Sequence, residues 1–438
     1  MVTATTFGRS KTFICINTEK QSINMKKILY SVFMLATMVL AACSSDDTTE
    51  PVVKRGMVLK ANVEDTDTRA TLTDTEGKWK FAFATKDEVK VGNDKVDGYY
   101  TFTNDGTVFT STDAKQTAEA ANWYAYFPGE TIDLRNQSGK FDDVANMYAL
   151  AGATASATTG SDGLTVTMKA KAAVLCIVGV NKDEKLDISV KDADGKYVSG
   201  LTADKKSADF KVETSDAKVS LLSKKGAGVY YVVVPAGVKI SVYNGSTHMK
   251  TTKANGLTAG KYYTLLTGET TGKEFATING EKVEKEWVQL WPGGPKFAKE
   301  NVKDKLTFTE ACKTGDDYVW GANWRTPKGE ELAPLYKEYA VNTENVSAVY
   351  KQLNGSYGIE FTGVQHGYTN NKIFLHGEGK MDATGGQWTY LTSTDNKNSK
   401  TWNFYFWVAE HENGLRIFIY EDENYTTSKY MVRPVLAE

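Results

Sequence analysis

The sequence predicts a mainly β protein, with two antiparallel β-sandwich domains followed by an α+β domain, and three observations predict it. Short runs alternating apolar and polar residues recur with turn signals every ten residues or so. Proline is scarce, at 8 of 438 residues, while Gly (37) and Tyr (23) are abundant. Seven of the nine tryptophans lie beyond residue 286, so a core of different composition begins there.

Taken in order, residues 1–24 are polar and aperiodic and precede a better start at Met25, so they are set aside as an extension outside the folded protein. Residues 25–42 read as a secretory signal: Lys26 and Lys27, then the apolar run Ile28–Leu40, then Ala41-Ala42 before Cys43. That run is about half the ~20 residues a membrane-spanning helix needs. With a cysteine at this point the segment resembles a bacterial lipoprotein signal, the alternative being ordinary secretion with a chance cysteine. The resemblance implies acylation of Cys43 and anchoring to the outer membrane by more than one chain. Ser44–Asp47 resembles the acidic surface-export tag of Bacteroides-type lipoproteins, which implies the cell surface. Residues 43–55 form the tether.

Roughly 395 residues remain after the signal, enough for two or three domains. The net charge of −2 does not favour nucleic acid as a partner. Beyond Cys15 and Cys43 there are only Cys176 and Cys312, in different expected domains, so no disulfide framework can be built. Cys176, within VLCIV, reads as a small core residue.

The first sandwich is expected over 56–156. Gly56–Val63 is its first strand, followed by a charged break, Glu64–Arg69. Strands are expected at Lys78–Phe83, Glu88–Val91, Tyr99–Phe102, Val108–Thr110 and Trp123–Phe127. In the last, Trp123, Ala125 and Phe127 share one face and Tyr124 and Tyr126 the other. The small, polar stretch Ala149–Gly163 marks a boundary. The second sandwich, 160–268, opens with Leu164–Met168 and Ala172–Val180, and its strongest strand is Gly228–Pro235. Asp192-Ala193-Asp194-Gly195 starts like a calcium loop, but Lys196 and Ala203 stand at ligand positions, so a hairpin turn is expected.

The Thr68–Thr71 run (Thr-Arg-Ala-Thr), Lys86–Val91 (Lys-Asp-Glu-Val-Lys-Val), the Tyr/Val-rich strand ending in Pro235 and Leu257–Thr264 (Leu-Thr-Ala-Gly-Lys-Tyr-Tyr-Thr) follow the signal in an order that resembles the fimbrillin family, the type V pilins of Bacteroides relatives. The likeness covers roughly residues 43–268 and implies transthyretin-like pilin sandwiches. It also implies cleavage between Arg69 and Ala70, with Arg55 as the rival site, loss of the first strand, and other pilin subunits as partners by strand addition.

Gly268–Thr277 reads as a second tether. Over 281–438 the order is Glu286–Leu290, Tyr318–Gly321, Asn323-Trp324-Arg325-Thr326-Pro327 running into a helix near Glu330–Tyr339, Leu391-Thr392-Ser393-Thr394, and Val432-Arg433-Pro434-Val435. These motifs resemble the Fibrobacter-type major paralogous domain, a relative of the C-type lectin-like fold. The chain departs from that pattern at His376-Gly377-Glu378 and lacks the usual Trp-Ser in the Leu391 motif. Within the resemblance Trp324 is a structural anchor and Arg325 pairs with a buried acceptor.

Zinc-protease, nucleophile-elbow and paired-histidine patterns are missing, and Gly268-x-x-x-Gly272-Lys273 is one residue short of a phosphate loop. No enzyme activity, metal or cofactor is expected; Glu421–Asn424 reads as a solvated acidic loop. Aromatic rings suit a glycan, since sugar C–H faces stack on them. Tyr368, Tyr390, Tyr425 and Trp388 are the candidate ligand residues, the tyrosines expected in exposed loops, whereas Trp324, Trp402 and Trp407 read as core, a reading that Trp388 shares. The expectation is a fimbrial tip or accessory adhesin that accepts a strand and binds a surface glycan or protein. The alternative is a non-polymerising surface lipoprotein that captures glycans.

Overall fold

The computed structural model describes residues 57–437 apart from 64–72, 76–77, 82, 94, 96, 112–121, 156–162, 205–206, 378–383, 396–399, 412–413 and 426–427. The signal, Cys43, the tether, Arg55, Arg69 and Ala70 lie outside the described residues. The described chain is mainly β.

Its first part contains β1 (Met57–Val63), β2 (Thr73–Thr75), β3 (Lys78–Lys80), β4 (Glu88–Asn93), β5 (Tyr100–Asn104), β6 (Phe109–Ser111), β7 (Asn122–Phe127), β8 (Thr131–Asp133), β9 (Leu150–Ala155) and β10 (Gly163–Ala170). Seven of these close a barrel in the order β1-β10-β9-β7-β4-β5-β6. The stretch Ala149–Gly163, expected as a boundary, contains β9 and reaches β10, and both pair in this one barrel. The alternation in β7 holds: Trp123, Ala125 and Phe127 enter the main core, while Tyr126 packs outside it with Ala151 and Ala203. Burial on both sides of β7 follows because the next sheet covers its outer face.

That sheet and its partner are built from β11 (Ala172–Gly179), β12 (Lys185–Lys191), β13 (Tyr197–Ala203), β14 (Phe210–Ser215), β15 (Leu222–Lys225), β16 (Gly228–Pro235), β17 (Ser241–Asn244), β18 (Thr247–Thr251) and β19 (Tyr262–Leu266). β11 is central between β16 and β19, and every one of its residues is buried. β8 crosses from the barrel region to pair with β13. One hydrophobic cluster, from Leu59 to Val242, runs through barrel and sheets alike. The Asp192 stretch is a hairpin turn: Asp192 Oδ1 accepts from the N–H groups of Asp194 and Lys196 at 3.0 and 2.9 Å, spending its acceptor on the backbone.

The remaining strands are β20 (Thr271–Ile278), β21 (Glu281–Val288), β22 (Phe297–Ala298), β23 (Trp324–Arg325), β24 (Tyr336–Lys337), β25 (Ala340–Val341), β26 (Val346–Leu353), β27 (Ser356–Gly363), β28 (Lys372–His376), β29 (Gly386–Asp395), β30 (Lys400–His411), β31 (Gly414–Tyr425) and β32 (Val435–Leu436). The stretch expected as a tether at Gly268–Thr277 is largely strand, since β20 pairs along β21 from Thr271 opposite Val288 to Ile278 opposite Glu281. The turn between them is Asn279-Gly280, both at positive φ (52° and 83°), which this pair supplies readily. The expected helix near Glu330–Tyr339 is one turn, α2 (Gly329–Leu332), matching α1 (Phe308–Ala311) in length. Pro334 cannot donate into a helix, and the chain turns instead into the β24–β25 hairpin.

This last part is bonded to the sheets before it. Gly293 N–H donates to Val180 O at 2.9 Å, and the Gln289 amide donates to Gly294 O at 2.7 Å and Val180 O at 3.3 Å. Asn371 donates to Gln289 O at 2.7 Å. The Tyr368 ring packs with Cys176 and Val178 of β11.

Candidate functional site

Two features stand out: the seam that β1 closes and an exposed aromatic face far along the sequence. β1 runs parallel to β10, from Val58 opposite Gly163 to Val63 opposite Met168, and antiparallel to β6 over Met57–Leu59. Its sequence alternates accordingly. Leu59 is fully buried, Ala61 and Val63 pack on the core, and Lys60 and Asn62 are exposed. Leu59 faces Leu164 on one side and Phe109 on the other. At the strand's entry the backbones come close: a Cβ on Gly163 would lie 2.6 Å from Val58 O. Without β1 the barrel has a gap between β6 and β10 with Phe109, Leu164, Val166 and Met168 at its floor.

The expected ligand aromatics are elsewhere than anticipated. Tyr368 is fully buried and its hydroxyl lies 3.4 Å from Gln289 Oε1. Tyr390, 2% exposed, accepts from Asn301 Nδ2 at 2.7 Å and donates to His376 O at 3.3 Å. Trp388 is buried and stacks on Phe406, centroids 5.6 Å apart. The expectation of exposed loops for Tyr368 and Tyr390 is therefore corrected, and Trp388 is equally closed to a ligand. Trp388 and Tyr390 lie on the inward face of β29, and Tyr368 fills the joint with β11. Tyr425 ends β31, and its side chain lies outside the described residues, as does that of Trp402. Glu421–Asn424, expected as a loop, is strand.

Trp407, expected in the core, is instead 45% exposed. In β30, Phe404, Phe406 and Val408 point inward, which sends Tyr405 and Trp407 to the outer face. Trp407 stands between Gln387 on β29 and Phe418 on β31, and its ring stacks on Phe418 at 5.1 Å and 26°. Tyr405 donates to Gln387 Oε1 and stands opposite Thr389. Beyond β31 the Tyr339 carbonyl accepts from Ile419 N–H at 3.2 Å. Tyr339 is 67% exposed and, with Glu338, forms the two-residue turn between β24 and β25 at φ 65° and 52°. Left-handed backbone at ordinary residues costs on the order of 1–3 kcal/mol each.

The motif residues behave as anchors. Trp324 is fully buried and donates to Phe275 O at 3.1 Å. Arg325 makes a two-pronged pair with Glu331 at 2.7 and 2.6 Å, and Lys328 N–H adds a third bond at 2.8 Å. Burial alone would raise the Glu331 pKa, but these bonds and the Arg325 charge outweigh it and hold it below the ordinary 4.5. Arg433 is buried, donating to Ala298 O at 3.1 Å and to Phe374 O. Among the described residues no group of three His, Cys, Asp or Glu is placed to hold a metal ion.

No protein-family profile and no curated protein matches the chain. Among solved structures it is similar to a candidate cell adhesion protein from Bacteroides ovatus at 12% identity and TM-score 0.30, covering 53% of this chain and 95% of that one. A candidate cell adhesion protein from Bacteroides uniformis gives 12% and 0.31, covering 55% and 99%. A fimbrial protein from Bacteroides ovatus gives 11% and 0.24, covering 88% and 100%. At such identities and TM-scores the functional reading is left to the chain's own residues.

Proposed function

We propose that the protein is a non-enzymatic surface adhesin subunit of a fimbrium, at its tip or as an accessory, exported as a lipoprotein through Cys43. It accepts a strand from a neighbouring subunit in place of β1 and binds a surface glycan or protein through a C-terminal lectin-like region. The observation that carries this reading is the seam: β1 is the first strand among the described residues, is paired on both edges, fills an apolar groove, and is followed in sequence by Arg69-Ala70. Cleavage after Arg69 frees β1, and an open groove between two strand edges is completed by a partner's strand. β32 lies between β22 and β23, so the segment Met431–Leu436 is itself not free to be lent to a neighbour.

The test is the N-terminal sequence of the protein recovered from the cell surface. A start at Ala70 is expected, and Arg69→Ala is expected to abolish incorporation into fimbriae. A start at Cys43 on fully assembled material overturns the reading. One observation favours the second reading, a permanently anchored glycan-capturing lipoprotein: with β1 in place the barrel is already closed and needs no partner.

A further inference from the structure

We propose that the core between β22 and β28 binds one monatomic anion, a chloride, against the buried side chains of Arg433 and Asn301. Arg433 is 3% exposed. Burial works to lower its pKa, but a guanidinium stays charged inside proteins. Its bonds go to two neutral carbonyls, Ala298 O at 3.1 Å and Phe374 O. It makes no ion pair among the described residues. The carboxylate whose charge reaches it, Glu300, is itself exposed and bonded to Lys285 Nζ at 2.8 Å. A buried charge with no counter-charge is costly, and native structures pair such charges.

Arg433 Nε and Asn301 Oδ1 are both buried without a partner among the described residues, and a buried polar atom in that condition calls for a water or an ion. Tyr390 ties the two residues together: its hydroxyl accepts from Asn301 Nδ2 at 2.7 Å and lies against the guanidinium. An Asn amide has the same outline either way round. Turned over, Asn301 accepts from the Tyr390 hydroxyl through Oδ1 and offers Nδ2 where Oδ1 stood. An anion in reach of that amide and of Nε takes both donors, and neither polar atom is left unmet.

Space and charge decide the occupant. Arg433 and Tyr390 line a cavity of about 10 Å³ whose other walls include Leu332, Ile373, Leu375 and Phe406. That is room for about one small particle, too little for a carboxylic acid, a phosphate or a sugar. A water satisfies Nε and leaves the charge as it was, whereas a halide answers both. His376 registers a charge that the surrounding protein does not cancel: burial, and after it the Arg433 charge, hold its imidazole below the ordinary 6.5.

The experiment follows the thermal unfolding midpoint of the full chain as sodium chloride replaces sodium gluconate at constant ionic strength, gluconate being too large to enter. A ligand held by the folded state alone raises the midpoint with the logarithm of its concentration, here by about 2 °C for each tenfold rise in chloride. Asn301→Asp sets a carboxylate near the guanidinium, so its midpoint in gluconate should exceed that of the natural chain and its chloride response should vanish. Arg433→Met replaces the charge by an uncharged chain of similar length and should lose the response as well. Bromide-soaked crystals should show an anomalous peak against Arg433 Nε. A midpoint indifferent to chloride, a response that survives both substitutions, or a water at Nε in the bromide crystals overturns the site. None of these outcomes bears on strand exchange at β1, which is read from the mature N-terminus.

Discussion

β1 and the segment Met431–Leu436 are both strand-bearing stretches held between two neighbours, yet they are held in different ways. In β1 one side chain is fully buried, the polar positions face out, and the bonds run along two straight ladders. In the other segment Met431, Val432, Arg433 and Val435 are all buried, the strand is two residues long, and the pairings reach Phe297, Trp324 and Arg325. A strand with one buried face can be replaced by any chain of like alternation, because a ladder reads backbone and a groove reads every second side chain. A segment buried on all sides belongs to its own core and has no substitute. The β1 seam is thus the one the proposed strand exchange would use, while Met431–Leu436 belongs to its own core.

The comparison breaks if β32's surroundings prove dispensable. Trp324→Ala, beside Leu436, is expected to cost about 3–5 kcal/mol in denaturant unfolding, since it removes a fully buried indole and its bond to Phe275 O. Leu59→Ala should cost about 2–5 kcal/mol in the uncut chain; a neutral result would mean that β1 is not seated in the barrel. Gly163→Val sharpens the point, because its Cβ meets Val58 O, and a cost of about 1–3 kcal/mol is expected in the uncut chain. In a chain cut after Arg69 and stripped of β1 that cost should vanish, which differential scanning calorimetry on both forms would show. The smallest effect is pH-dependent. The Glu331 carboxyl is held below 4.5, so its contribution is complete above that value and is lost as pH falls through the lower, folded value. Glu331→Gln should flatten that part of the acid-unfolding profile, and an unchanged profile would mean the Arg325 pair is not formed in solution.

Much of the fold was legible where the period was strict. β1, β7 and β16 appear within a residue or two of their expected bounds because alternation and turn signals agree there. β20 was hidden because GETTGKEF is rich in Gly, Thr and Glu, although Asn279-Gly280 just after it is a hairpin signal. The short α2 follows from Pro334, which has no N–H with which to continue the helix. The exposed face was not legible at all. From Trp402 to Val408 (WNFYFWV) nearly every position is aromatic or apolar, so alternation cannot say which side is wet, and only the packing of Phe404, Phe406 and Val408 settles it. Tyr368 differs for the opposite reason: Thr and Asn neighbours suggest a loop, while the ring fills a joint between distant strands.

That joint has a mechanical consequence. Gln289 and Gly293 bond the C-terminal sheets to Val180 at the end of β11, and Tyr368 packs on Cys176 and Val178, where a swivel could have been. A swivel would let one part turn and shed torque. A part fixed in this way acts as a bracket: force applied on one side of the joint is passed across it as torque and is not lost in rotation.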